Sequence, residues 1–319
     1  MCMKIHDKYI DPFTDFGFKW LFGTEENKAL LISFLNDLLD IEYKIVDITY
    51  RNLEKLGLNI VDRKAVFDIF CTDEKNNNFI VELQRAKQKH FIDRSVYYTS
   101  FPIQEQSSRG DWDYELKKVY FVGILEFEMF ENTDNDSYLT KVQLCNTDTK
   151  DVFYDKLTYY YIEMPKFKKS ESELKNHLEH WLYVLNNMND LTHIPKSFKD
   201  DKLINQAFDL AEFLALPKEK QFAYQHDLKI RLDYKNTMDY AKEMAKEDGL
   251  REGMEQGIKE GMQKGIKEGI EKGIEKGKEK GKKDKAIEIA KNLINAGIDI
   301  DTIVISTSLS KEEILNIKG

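Results

Sequence analysis

Apolar and polar positions follow two different periods along this chain, and the places where the period changes mark out its elements. YKIVDITYRN (43–52) alternates residue by residue and predicts a strand. Two short apolar runs follow, VFDIFC from residue 66 and FIVELQ from residue 79. The polar, turn-forming DEKNNN (73–78) joins them, so a hairpin is predicted. KKVYFVGILEFEMF (117–130) is apolar almost throughout, the pattern of a central strand covered on both faces. KVQLCNTD and KLTYYYIEMPKF, within 131–165, predict further strands. Helical spacing precedes, interrupts and follows these runs. It appears in PFTDFGFKWLFG, with Pro12 at its start, in EENKALLISFLNDLL ending at Leu39, and in 85–107, with a bend or break near Pro102. From about residue 170 the chain reads as helical, over 171–189, 201–216 and 218–247, with Trp181, Leu182 and Leu185 as core contacts of a helical subdomain. The order helix, three strands, helix, strand predicts a mixed α/β core followed by a helical half.

Beyond residue 247 the pattern becomes a repeat. Glycine stands at 249, 253, 257, 261, 265, 269, 273, 277 and 281, and Leu, Met or Ile follows each glycine up to Gly273. Four residues of helix turn through about 400°, so an apolar stripe of this period drifts by about 40° per repeat. Each glycine costs about 1 kcal/mol relative to alanine, and Glu/Lys pairs four apart return only a few tenths. An isolated helix here is therefore expected to fray unless something packs on its small-residue stripe. Two main readings remain open, self-association through 248–285 and a solvated, partly helical spacer, with basic contact to nucleic acid a minor third because Lys and Glu nearly balance here. The final segment predicts three helical pieces, with Gly297 as a C-cap and Ser310 with Glu313 as a capping box. It matches a helix-turn-helix in length and reads more simply as a small packing cap.

Composition narrows the class. With 319 residues, 41% of them hydrophobic, the chain can bury a full core rather than remain disordered. The net charge of −9 means that nucleic acid would be met through a local basic patch and not through the overall field. Three widely spaced cysteines, Cys2, Cys71 and Cys145, suit a reducing cytoplasm. The start lacks a signal-peptide pattern and no run is long and apolar enough to span a membrane, so no membrane association is expected.

The chemistry concentrates in the hairpin. Side chains alternate along a strand, so Glu82 and Gln84 share a face. A turn centred near 75–76 sets Asp68 roughly opposite them. Two neighbouring carboxylates repel, and a divalent cation removes the conflict. Magnesium accepts carboxylate, carbonyl and water oxygens, which Asp68, Glu82 and the carbonyl of Leu83 would supply. Alternatively, either acid pairs with Lys64, Arg85 or Lys87 at a strand edge. His177 and His180 stand three apart on a predicted helix, but no third ligand is evident, and they read as a surface pair.

DPFTDFGFKWLFG (11–23), FDIFCTDEKNNNFIVELQRA (67–86), FIDRSVYYTS (91–100), YELKKVYFVGILEF (114–127) and YYIEMPKF (160–167) together resemble, in order and spacing, the Rpn family. These are recombination-promoting nucleases, also labelled transposases, of the PD-(D/E)XK superfamily, and the resemblance covers about half the chain. It implies an α/β fold with a restriction-endonuclease-like core over 1–168, to which the residue pattern adds a helical subdomain over 169–247, the glycine-repeat helix over 248–285 and a helical cap over 286–319. It implies a Mg²⁺- or Mn²⁺-dependent DNA endonuclease, with Asp68 and Glu82 as metal-binding catalytic residues and Gln84 standing where the motif lysine usually stands. Asp15 would be an additional ligand or, equally, a helix-cap residue, and Arg94 would contact a phosphate, with Lys87 or Lys64 reaching in for the missing lysine. The alternative is a catalytically inactive nuclease fold that oligomerises or binds partners through its repeat helix.

Overall fold

A computed structural model describes residues 8–55, 65–107, 113–130 and 137–318. In chain order the elements are α1 (Asp15–Phe22), α2 (Lys28–Leu38), β1 (Ile48–Tyr50), β2 (Glu54–Lys55), β3 (Ala65–Val66), β4 (Ile69–Asp73), β5 (Asn78–Gln84) and α3 (Phe91–Glu105). Then come β6 (Val119–Leu125), β7 (Leu139–Cys145), β8 (Val152–Glu163), α4 (His177–Asn187), α5 (Lys202–Ala211), α6 (Lys218–Asn295), α7 (Ile300–Thr307) and α8 (Lys311–Lys318). The chain divides into two compact units, Met1–Tyr234 and Lys235–Gly319.

The first unit is built on a six-stranded sheet ordered β1-β4-β5-β6-β8-β7, with β2 and β3 forming a separate ribbon. The pairs β5–β6 and β6–β8 are parallel, and the others in the sheet are antiparallel. Because α3 lies between the parallel strands β5 and β6 in sequence, it serves as the crossover that parallel pairing requires. Every residue of β6 is buried, as its unbroken apolar run predicts. One sheet face, with Ile69, Cys71, Phe79, Val81 and Val122, shares a core with α1, α2, α4 and α5. The other, with Phe70, Ile80, Phe121 and Tyr161, packs with Phe91 of α3. On that second face the α3 hydroxyls Ser95 and Thr99 meet the hydroxyls of Tyr161 and Tyr159 at 2.7 and 2.8 Å, so these buried polar groups are satisfied. α4 and α5 thus share the core of the sheet.

Local chemistry explains the hairpin. Oδ1 of Asp73 accepts from the backbone N–H of Lys75 at 2.9 Å and of Asn77 at 2.8 Å. Asn76 takes the left-handed conformation (φ 61°) that asparagine tolerates better than most residues. Pro102 sits inside α3 without ending it.

The loop before α1 is held by the beginning of α6. Arg231 makes a two-pronged pair with Glu126, 2.6 Å on each side, and approaches Asp11 at 3.0 Å and the Phe13 carbonyl at 3.1 Å. Asp11 N–H donates to Tyr224 Oη at 2.9 Å, and Phe16 N–H donates to Asp227 at 2.9 Å. Gly17 makes this approach possible: a Cβ there would stand 2.2 Å from the Asp11 carbonyl oxygen.

In the second unit α6 is continuous through all nine repeat glycines, as the predicted glycine-repeat helix requires. Apart from each glycine's chain neighbours and the helix's own nearby backbone, no atom among the described residues lies within 4 Å of a Cβ built at any of them, and Leu250 through Ile274 are exposed. The end of α6 packs with α7 and α8 around Ala290, Ile303, Leu309 and Ile314. Gly297 (φ 75°) follows α6, and the Ser310–Glu313 box precedes α8 with bonds of 3.0 and 3.2 Å, as predicted. Among the described residues, no helix is long and apolar enough to cross a membrane.

Removing one partner of a half-buried charge network strands the others. Arg231→Met should therefore lower the stability of the first unit by about 3 kcal/mol. Urea unfolding followed by tryptophan fluorescence reads this, because Trp20 and Trp181 lie in that unit. A loss under about 0.5 kcal/mol, the size of an ordinary surface change, would contradict the assignment.

Candidate metal-binding fork between β4 and β5

β4 and β5 pair as far as Ile69↔Val81, and then they part. The chain preceding Ile69 leaves the sheet to pair with β2 as β3, and Phe67 N–H donates to the Leu53 carbonyl at 2.9 Å. In a continued antiparallel ladder Phe67 and Leu83 would exchange two hydrogen bonds. Instead the Leu83 N–H donates to Asp68 Oδ2 at 2.8 Å, and the Asp68 N–H donates to Glu82 Oε1 at 3.1 Å. Two carboxylates thus replace backbone partners at a fork in the sheet. The Leu83 carbonyl, on the same edge as its N–H, is left without the Phe67 donor.

This placement is costly for charge. Glu82 is 5% exposed, and burial first, then the charge of Asp68, pushes its carboxyl up to about 8. Burial also raises the Asp68 carboxyl, opposed by the Leu83 N–H and by the Lys19 ammonium. On β6 the residue in register with Glu82 is Gly123, so no side chain flanks the carboxylate there. A Cβ at Gly123 would approach Tyr161 at 3.2 Å and Phe121 at 3.3 Å.

Cationic groups surround the fork. Lys19 Nζ on α1 lies 3.9 Å from Asp68 Oδ1 and 2.8 Å from Asp15. Arg94 on α3 donates to Gln84 Oε1 and, at 2.8 Å, to Gln88. Its guanidinium lies over the rings of Phe91 and Tyr98, 5.1 and 5.7 Å from their centres. The Gln84 amide donates to the Ala86 carbonyl at 2.8 Å, which fixes the side chain that holds Arg94.

The sequence-predicted residues fall as follows. Asp68 lies just beyond the last β4–β5 pair with its N–H on Glu82 Oε1, and Leu83 and Gln84 follow Glu82 on β5. Asp15 is not the helix cap, because Thr14 takes that role by accepting from Gly17 N–H. Nor does Asp15 close with Asp68 and Glu82 into a set of ligand atoms within 4.8 Å of one another; Lys19 stands between it and Asp68. Arg94 is at the site, engaged by Gln84. Lys87 is exposed, while Arg85 is half-buried and its charge reaches Asp68. Lys64 lies outside the described residues. Sequence reasoning passed over Lys19, although its place four residues after Asp15 on a helix was a legible pairing signal.

The donor set fits a hard divalent ion. Each carboxylate spends one oxygen on a backbone N–H and keeps another, and their mutual repulsion is what such an ion relieves.

A mixed sheet flanked by helices, with Asp and Glu-x-Gln meeting where two central strands part, has the arrangement of a PD-(D/E)XK nuclease core. The family described as PD-(D/E)XK nuclease family transposase matches residues 12–241, and the C-terminal HTH domain of the Rpn/YhgA-like nuclease family matches residues 283–319. The chain belongs to this family of PD-(D/E)XK transposase nucleases, of the Rpn/YhgA-like type. The helices read from sequence as a packing cap therefore correspond to a helix-turn-helix domain. No curated protein and no solved structure matches the chain.

The raised Glu82 carboxyl has a consequence for stability. Between the ordinary carboxylate range and about 8, the folded chain holds a proton that the unfolded chain has released. Metal-free protein should therefore lose stability as pH rises through that window. Glu82→Gln removes the loss, so in urea unfolding without metal its advantage over wild type should grow with pH and level off above about 8. Parallel pH dependences would contradict a buried, uncompensated carboxylate.

Proposed function

We propose that the chain is a Mg²⁺- or Mn²⁺-dependent DNA endonuclease that hydrolyses phosphodiester bonds. The observation that carries this reading is the pairing of Asp68 and Glu82 at the fork, each with an oxygen to spare, beside the carbonyl of Leu83. These three groups would hold the ion. Bound there, it would supply a water of lowered pKa and positive charge facing the phosphoryl oxygens. The helix-turn-helix match supports DNA as the partner.

The remaining residues divide the work of the absent motif lysine. Gln84 carries no proton to give, so it acts as an orienting group. It fixes Arg94, whose guanidinium would engage a phosphate oxygen. Lys19 brings an ammonium to the same carboxylate from α1, and would stabilise the developing anion. Asp15 holds Lys19 in reach at 2.8 Å and is a positioning residue in this scheme.

Purified protein should nick supercoiled DNA with Mg²⁺, and EDTA or Asp68→Ala should abolish nicking. Lys19→Ala should slow it by about 10²-fold, the usual effect of losing one charge-stabilising donor. Nicking that persists with both chelator and Asp68→Ala would refute the assignment.

We also propose that residues 248–285 are a self-association surface for a second copy of the chain. Seven apolar side chains from Leu250 to Ile274 stand exposed on a helix whose glycine positions leave room for close approach. Light scattering should give a smaller oligomer for a chain ending near residue 245 than for the full chain. An unchanged subunit number would remove this role.

A further inference from the structure

The sequence offers His177 and His180 as a pair with no third ligand, and the fold supplies one. Asp201, the N-cap of α5, comes to α4, so that one ring nitrogen of each histidine and one Asp201 oxygen all lie within 4.8 Å of one another. Among the described residues this is the one such group of three or more His, Cys, Asp or Glu. It lies apart from the β4–β5 fork in the chain, and the nuclease reading makes no use of it.

Asp201 and His177 have their other atoms already committed. Asp201 spends Oδ1 on the N–H groups of Leu203 and Ile204, both at 3.1 Å, and turns Oδ2 to His177 Nε2 at 2.7 Å. His177 Nδ1 faces Asp37 Oδ2, on α2, at 2.5 Å. A carboxylate behind one ring nitrogen fixes the tautomer and leaves the other nitrogen to a metal. Nδ1 of His180 is buried with no hydrogen-bond partner, an orphan that needs explaining in a folded protein. Burial, with the neighbouring His177, keeps the His180 imidazole below its ordinary pKa, in the neutral, ligating form.

We propose that His177, His180 and Asp201 form a second metal site, selective for a Zn²⁺-class transition ion, backed by Asp37 and joining α4 to α5. The two-nitrogen, one-oxygen donor set favours such an ion over Mg²⁺, which prefers oxygens alone. Without metal, a proton bridges His177 Nε2 and Asp201 Oδ2. With metal, that proton leaves and the ligand atoms adopt the spacing of about 3.3 Å that tetrahedral bonds near 2 Å require. Three protein ligands leave the fourth position to water.

Co²⁺ reports such a site through its visible d–d absorption. Titration of the full chain should give intense tetrahedral-type bands saturating at one equivalent, and Zn²⁺ should erase them. The bands should persist in Asp68→Ala/Glu82→Ala, which removes the fork, and disappear in His180→Ala. Asp201→Asn, which keeps an N-cap side chain, should also lose them, with circular dichroism checking that both variants fold. Zn²⁺ should raise the thermal midpoint of wild type and not of His180→Ala. Three results would overturn the proposal: no bands in wild type, bands that follow the fork instead, or bands retained in His180→Ala. A midpoint indifferent to Zn²⁺ would leave an imidazolium clamp between Asp37 and Asp201 in place of the site.

Discussion

Asp68 and Glu82 sit where the hydrogen-bond ladder between β4 and β5 ends. Their carboxylates depend on that parting of strands as much as the strands depend on them. Had the ladder continued, Leu83 N–H would have been taken by backbone and the Asp68 side chain would have lacked its partner. Because the chain before Ile69 leaves to pair with β2, two carboxylate oxygens take over the backbone's role. Each carboxylate keeps one oxygen that no backbone N–H takes, and Glu82 is buried. An unfavourable charge arrangement is thereby built into the middle of the sheet, and under the proposed function a divalent cation would relieve it.

The rest of the first unit holds this arrangement in place. β6 lies on the far side of β5 and contributes Gly123 beside Glu82. α3 carries Arg94 to Gln84, so the amide in the lysine position serves as a mount for a cation from another element. α1 carries Lys19 to Asp68, and the close seat that Gly17 allows on the Asp11 carbonyl fixes that helix. The same loop is tied to Arg231, Tyr224 and Asp227 at the beginning of α6. A change at the α6 root is thus one loop away from the residues that face the fork.

Much of this was legible because it is local. The alternation on either side of DEKNNN set the hairpin, and its turn residues set a register that puts Asp68 opposite Glu82. The apolar run 117–130 announced a strand buried on both faces. What escaped was long-range or hidden by an energetic average. Lys19 reaches Asp68 across 49 positions, and His177 meets Asp37 across 140; no periodicity encodes such pairs. The amphipathic faces of α4 and α5 say that they are buried, not that the sheet is what they cover. The glycine repeat was legible as a helix, and α6 runs unbroken through it although propensity weighs against each glycine. The terminal helices showed their caps but not their type, since a capping box serves a packing helix and a DNA-reading one alike.

Calorimetric titration of Mg²⁺ into the full chain tests the central claim most directly, because Mg²⁺ selects an oxygen-only site and passes over the histidines. One ion should bind per chain, with proton release at neutral pH as the Glu82 carboxyl gives up its proton, and Glu82→Gln should abolish both signals. The absence of binding at millimolar Mg²⁺, or binding undiminished in Glu82→Gln, would contradict it.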